Sequence, residues 1–459
     1  MRHVSFQRLC KGIENLSLIF LVHRENKYSV YTLLSSLEKH QLHREISIYL
    51  ARVNSPETLL QDQAVHQMLS EVHGAAEKHG KVILAISLMT TSLYEHLHLI
   101  SRLGELKQKL GNLTLIAGGP HASGDPLGTL KLDFDAVFVG EAEESLPSFL
   151  REYAAGGDPA SVDGVALLED EKLKVKPPRR ISRLDDYPAF PSIARGFKAI
   201  ELTRGCPYGC GFCQVSSMFG REMRHRSVEN VVEHVELMLR HGRRDVRFVT
   251  PNCLCYGASR LGELRLDVIE ELLEQLHQLA SQHGGRIFYG SFPSEMRPEY
   301  VTEEAARILA EYSASRSFIV GAQSGSNRVL EKIHRGHTAE DVVNAVKTLR
   351  RRGREVAVDF IFGLPYEEEE DAEATANLME KLAKMGASIH AHYFIPLPGT
   401  AMSNLEPKPI HPKILKTFSK LIGVGKAYGH WERQITIAQK ILEMKKHGIF
   451  HTQHTNLSK

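Results

Sequence analysis

Short apolar runs alternate with amphipathic stretches along most of this chain, in two blocks separated by a gap rich in proline and glycine. In the first block, strand-like runs fall at 16–22, 45–50, 82–87, 113–117 and 136–139, with helix-like stretches between them. Strands separated by helices pair in parallel and are covered on both faces. Five of them predict a flavodoxin-like, Rossmann-like α/β domain over residues 1–155, a fold that binds ligands beyond the carboxyl ends of its strands. The second block has strand-like runs at 199–203, 246–250, 287–290, 318–322, 356–362 and 389–395, separated by amphipathic helices. Six strand–helix repeats predict a partial (β/α)6 TIM-like barrel over 197–400, with its chemistry at the carboxyl ends of the strands. Residues 156–196, punctuated by Gly156-Gly157, Pro177-Pro178 and Pro188-Ala-Phe-Pro191, read as a linker with a small hairpin. Residues 401–459 read as a helical cap, with apolar residues at helical spacing over 413–423 and 431–446.

Three cysteines follow the first barrel strand in Cys206-Pro-Tyr-Gly-Cys210-Gly-Phe-Cys213. Gly205, Gly209 and Gly211 let the loop fold three thiolates around one centre. Three thiolates suit an iron–sulfur cluster with one iron free of protein, whereas a closed structural zinc site wants a fourth ligand. Cys253 and Cys255 lie two apart with only Cys10 left over, too few for a second cluster, and read as small residues filling space behind a strand.

The chain has 459 residues, long enough for two or three domains. Its 57 Lys and Arg nearly balance 55 Asp and Glu, which argues against a nucleic-acid or membrane-surface partner. No apolar run approaches the roughly 18 residues of a membrane span. Six cysteines, three of them clustered, fit a reducing compartment better than a disulfide framework, so the expected location is cytoplasmic. Most of the 24 histidines, such as His40, His43, His66 and His73, fall on polar helix faces and read as solvated.

The strand ends of the first block gather small and polar residues: 23–28 ending in Tyr28, 87–92 with Ser87, Thr90 and Thr91, 118–123 with Gly118, Gly119, Pro120 and His121, and 140–143 with Gly140 and Glu141. The two glycines allow a bulky ligand close to the backbone, and the hydroxyls suit a polar tail. No Gly-x-Gly-x-x-Gly run follows the first strand, which disfavours a nicotinamide dinucleotide. The barrel strand ends carry Asn252, Ser291, Gln323, Gly363-Leu-Pro365 and Pro396-Leu-Pro-Gly399-Thr400 at one common edge, the pattern of a shared pocket.

The cysteine loop, with Gly-Leu-Pro after the fifth barrel strand and Pro-Leu-Pro-Gly-Thr after the sixth, resembles the radical S-adenosylmethionine (SAM) enzymes. The preceding domain, with Gly118-Gly-Pro-His121 and Gly140-Glu-Ala-Glu143, is similar to the cobalamin (vitamin B12)-binding domain of that family's cobalamin-dependent branch. The resemblance implies that Cys206, Cys210 and Cys213 hold a 4Fe–4S cluster whose open iron takes SAM. It places Phe212 beside the adenine, Asn252, Ser291 and Gln323 near the amino acid or ribose, and Gly363 and Leu397 at the adenine slot. Cobalamin falls to Tyr28, Ser87, Thr90, Thr91, Gly118, Gly119, Pro120, His121, Gly140 and Glu141. The chain lacks the Asp-x-His-x-x-Gly motif with which methionine synthase ligates cobalt, so the lower cobalt face is free of histidine or bound by something else, with His23 and His121 the imidazoles at strand ends. The implied activity is methyl transfer to an unactivated carbon or another poor nucleophile, with electrons from a donor such as flavodoxin or ferredoxin. A non-methylating radical rearrangement or cyclisation, and a cobalamin- or redox-responsive binding module, are the alternatives. The substrate is not named by any motif.

Overall fold

A computed structural model describes residues 4–13, 15–194 and 196–451. The N-terminal sheet contains β1 (Val4–Cys10), β2 (Leu16–Val22), β3 (Ser47–Val53), β4 (Lys81–Ser87), β5 (Leu113–Gly118), β6 (Ala136–Phe138), β7 (Val165–Glu169) and β8 (Lys172–Val175), in the order β1-β3-β2-β4-β5-β6-β7-β8. Its parallel centre, β3-β2-β4-β5-β6, has the doubly wound flavodoxin order. Every residue of β2 is buried, because helices cover both faces. One face packs Ile19, Leu21, Leu84 and Leu115, and the other packs Leu18, Phe20, Ile83 and Ile116.

Two edge features depart from the sequence expectation. β1 runs antiparallel to β3 and is largely exposed; its Ser5, Gln7 and Arg8 face solvent in part and give no apolar run. The hairpin expected in 156–196 is β7–β8, and β7 pairs antiparallel with β6 through Val137 and Ala166, so this segment extends the sheet.

The barrel comprises β9 (Ile200–Glu201), β10 (Thr203–Arg204), β11 (Arg224–His225), β12 (Asp245–Val249), β13 (Arg286–Phe288), β14 (Ser317–Gln323), β15 (Glu355–Phe362) and β16 (Ser388–Tyr393). β9, β12 and β13 form one parallel sheet, and β14, β15 and β16 belong to another. A single parallel bridge between Met296 and Val320 joins them. β10 and β11 make a short antiparallel ladder beside the cysteine loop. Val320, Val358, Phe360, Ile389 and Ala391 pack in the core beneath the helices, so the alternate residues of these strands face the barrel interior. Ser227, Thr302 and Thr338 cap three covering helices through side-chain oxygens, which fixes where each begins.

Residues 401–459 were expected to form a helical cap, of which 452–459 lie outside the described residues. The helices form at Pro412–Gly423 and Trp431–Lys446, but between them β17 (Ala427–Gly429) adds a further parallel strand beside β16. The run Gly425-Lys-Ala-Tyr-Gly429, two glycines in five residues, carries no strand signal of its own; pairing with β16 supplies it. The last helix crosses to the N-terminal domain, where Ile441 and Met444 enter its core and Lys440 pairs with Glu95 at 3.1 Å.

Candidate active site

The cysteine loop leaves β10 and returns through β11, and its backbone is tied at both ends. The Cys206 N–H donates to Gly220 O at 3.0 Å, Gly211 N–H to Ile333 O at 2.9 Å, and Met402 N–H to Gly211 O at 3.0 Å. Gly205 has φ +88°, and a Cβ there would stand 2.0 Å from Glu222 O, so only glycine fits. Burial pushes the thiols of Cys206 and Cys213 up, the latter to about 11, so a free thiolate is unfavourable at neutral pH and a bound metal would stabilise it. Arg297 and Arg335 each point a guanidinium N–H at Cys210 Sγ, at 3.8 and 3.6 Å. Three thiolates leave one iron of a cluster free of protein, whereas a closed zinc site would want a fourth ligand. The loop therefore fits three thiolates on an iron–sulfur cluster, with two cations beside one of them.

Gln214, directly after Cys213, joins the two halves of the molecule. Its amide donates to Pro120 O at 3.0 Å and to Pro398 O at 2.8 Å. The turn after β5 and the loop after β16 approach so closely that a Cβ on Gly124 would lie 2.3 Å from Pro398 O. The cysteine loop thus sits directly on the Gly118-Gly119-Pro120 turn.

Beside this junction lies a cavity of ≈ 270 Å³ at the carboxyl edge of the N-terminal sheet, closed by the barrel. Phe20, Ile116, Phe138 and Leu146 are among its apolar walls, and Ser87, Glu141, Lys198, Glu201 and Arg204 among its polar groups. Ser87 Oγ is buried with no partner among the described residues, as a hydroxyl awaiting a ligand would be. Burial lowers the Lys198 ammonium to about 7; its donors reach Tyr28 O at 2.8 Å and Thr32 Oγ1 at 2.7 Å. At the domain boundary Arg204 bonds Glu143 at 2.6 Å, Glu201 at 2.8 Å and Glu141 at 3.2 Å, while Arg224 holds Glu141 at 2.6 Å. Burial raises the Glu201 carboxyl, and Arg204 more than offsets it, leaving the group below its ordinary range.

A model of the Radical SAM superfamily matches residues 200–379. Residues 200–379 are a radical SAM domain. The chain is 29% identical over 342 residues to an uncharacterised protein of Methanopyrus kandleri, covering 64% of this chain and 62% of that one. It is 27% identical over 339 residues to a putative methylthiotransferase of Methanocaldococcus jannaschii, covering 71% and 72%. Its fold is similar to the radical SAM methyltransferase TsrM from Kitasatospora setae, solved with cobalamin and a 4Fe–4S cluster, with a TM-score of 0.63, 16% identity and coverage of 85% of this chain and 74% of that one.

Within the radical SAM domain the residues expected near SAM divide. Phe212 packs against the cluster of Leu330, Ile333, Leu364 and Phe394. Gln323 ends β14 with φ +71°, facing the interior beside Gly321. Gly363 directly follows β15 and its carbonyl accepts the Lys408 N–H at 3.0 Å; Leu397 O accepts the Thr400 hydroxyl at 2.8 Å. Asn252 is committed to protein: its amide donates to Cys255 Sγ at 2.8 Å, and its oxygen accepts from Arg297 N–H at 3.2 Å and Leu254 N–H at 3.3 Å. Ser291 pairs with Ser315 at 2.9 Å.

Of the residues expected around cobalamin, Tyr28, Ser87, Gly118, Gly119, Gly140 and Glu141 line the cavity. Glu141 is also saturated by Arg204, Arg224 and the Ile181 N–H. Thr90 and His121 bond each other at 3.2 Å within the fold, and Thr91 lies in the same short turn. Pro120 meets Gln214 as described, and burial lowers His121 and His23 to about 3, leaving both neutral. Cys253 and Cys255 are fully enclosed beside Asn252, the space-filling position expected of them. Arg297, Arg335 and Gln214 were not foreseen. No spacing marks them, because Arg297 and Arg335 reach the loop, and Gln214 reaches out from it, across distant chain crossings.

Proposed function

We propose that this chain is a cobalamin-dependent radical SAM enzyme that transfers a methyl group to an unactivated carbon, or another poor nucleophile, of a small-molecule or macromolecular substrate. The observation that carries the reading is the Gln214 bridge, which holds the cysteine loop against the Pro120 turn beside the cavity. When bound, the cluster and SAM supply a deoxyadenosyl radical and cobalamin supplies a transferable methyl group. Cys206, Cys210 and Cys213 would hold the cluster, and Arg297 and Arg335 offset the negative charge of the Cys210 thiolate. Ser87, Gly118 and Gly119 would take the cobalamin, with Lys198 placed for an anionic part of it. The buried Arg204 network ties the two domains together beside the cavity, which would keep the cysteine loop and the cobalamin-binding residues in register.

The test is reconstitution of the full chain with iron, sulfide and cobalamin, followed by SAM and a strong reductant. Methionine with 5′-deoxyadenosine, together with S-adenosylhomocysteine, is the expected product set. Methionine and 5′-deoxyadenosine alone would point to a non-methylating radical reaction. Neither product, with both cofactors bound, would leave a binding module. A product gaining sulfur along with the methyl group would place the chain with the methylthiotransferases and overturn the proposal.

A further inference from the structure

Beyond the cysteine loop, the radical SAM domain holds a second group of metal-ligating side chains. Asp359 on β15 lies opposite His390 on β16, and His392 follows two residues on. A two-residue period puts His390 and His392 on one face, opposite Ile389 and Ala391 of the helix-covered core, so all three side chains face the barrel interior. Parallel barrel strands are ordinarily filled by apolar residues, and a carboxylate with two imidazoles in adjacent strands has no packing rationale.

The atoms converge. One ligand atom from each of Asp359, His390 and His392 lies within 4.8 Å of the other two. Asp359 Oδ1 is 2.9 Å from His390 Nδ1, and Asp359 Oδ2 is 3.9 Å from His392 Nε2. In a tetrahedral site with metal–ligand bonds of 2.0–2.1 Å, ligand atoms stand about 3.3–3.4 Å apart, between those two distances. The rings are held: His390 stacks on Tyr428 at 4.7 Å, and the two imidazoles meet edge to face at 4.3 Å. Gln434 is fixed by accepting the Tyr393 N–H at 2.7 Å and sits 3.4 Å from His392 Nδ1, turning Nε2 toward Asp359. The Gln434 amide N–H faces Nδ1, so the ring proton stands on Nε2 and is displaced when an ion binds there. The Glu295 carboxylate lies close enough to feel Asp359 and His390 and has no hydrogen-bond partner among the described residues. The nearby cation Arg335 is engaged with Cys210 and Gly321 O.

We propose that Asp359, His390 and His392 bind a divalent first-row transition ion, with zinc best suited to two imidazoles and one carboxylate. Three protein ligands leave an open coordination position toward the interior, the arrangement of a zinc site that takes a substrate oxygen or nitrogen. This site uses none of the cysteine-loop residues and does not depend on the methyl-transfer reading.

The test uses the full chain carrying its reconstituted cluster, equilibrated with zinc sulfate and desalted. Zinc and iron are counted by mass spectrometry, and the zinc environment is read by X-ray absorption. The expected result is one retained zinc per chain with only nitrogen and oxygen neighbours at about 2.0–2.1 Å, and loss of that zinc in the His390→Ala, His392→Ala double variant with iron unchanged. Failure of the wild-type chain to retain zinc would overturn the proposal. So would sulfur neighbours near 2.3 Å, which would place the zinc on the cysteine loop, or equal zinc in the variant. Should the double variant fail to hold its cluster, the single His392→Gln change, at a partly exposed ring, gives the same comparison.

Discussion

The N-terminal sheet and the barrel use the same strand–helix grammar to opposite ends. In the sheet, β2 runs Leu-Ser-Leu-Ile-Phe-Leu-Val with every residue buried, and side chains fill both faces. The barrel divides into a three-strand and a four-strand sheet joined by the Met296–Val320 bridge, and its interior carries Gln323, Asp359, His390 and His392 in place of a full apolar core. A continuous sheet fixes position; a divided one leaves room for chemistry. Its stability must come from the outer helical layer and from the Arg204 network that joins it to the sheet.

The largest expected effect is at the cysteine loop. Cys210→Ala should abolish cluster absorption near roughly 400 nm and remove bound iron. A Cys253→Ala, Cys255→Ala double change should leave the iron content unaltered, and loss of a second cluster's iron there would erase the distinction between ligand and filler. Arg204→Met should come next. It strands Glu143 and Glu201, while Glu141 keeps Arg224, at a cost of about 3–5 kcal/mol in chemical denaturation. A loss below about 1 kcal/mol would show that the domains are joined by packing alone.

Within the sheet, Leu18→Ala removes a fully buried side chain and should cost about 2–5 kcal/mol. An effect as small as that of a surface change would contradict the close-packed reading of β2. The smallest effect concerns pH. Burial lowers Lys198 to about 7 in the folded chain, whereas an unfolded lysine titrates near 10.4. Between these values the unfolded chain binds more protons, so stability should rise as pH increases from about 7 to about 10. Lys198→Met should flatten that part of the profile, and an unchanged slope would assign it to other groups.

Much of this was legible along the chain. The apolar runs gave β2 and β4 within a residue, because burial on both faces is a local demand. The cysteine spacing and its glycines announced a metal loop for the same reason. β1 and β17 were not legible: one is a polar edge and the other a glycine-flanked triplet, and both become strands only when a neighbour offers a ladder. Glu141 looked like a ligand contact but is largely engaged with arginines from the other domain.

The sequence by itself determined the two parallel architectures and marked the candidate cysteine centre, since periodicity, glycine placement and thiolate spacing act over a few residues. Only the tertiary structure decided what surrounds that centre. Arg297 and Arg335 reach Cys210 across 87 and 125 residues, Gln214 reaches Pro120 across 94, and Asp359 meets His390 across 31. Charge and hydrogen bonding work through space, and folding alone sets those distances.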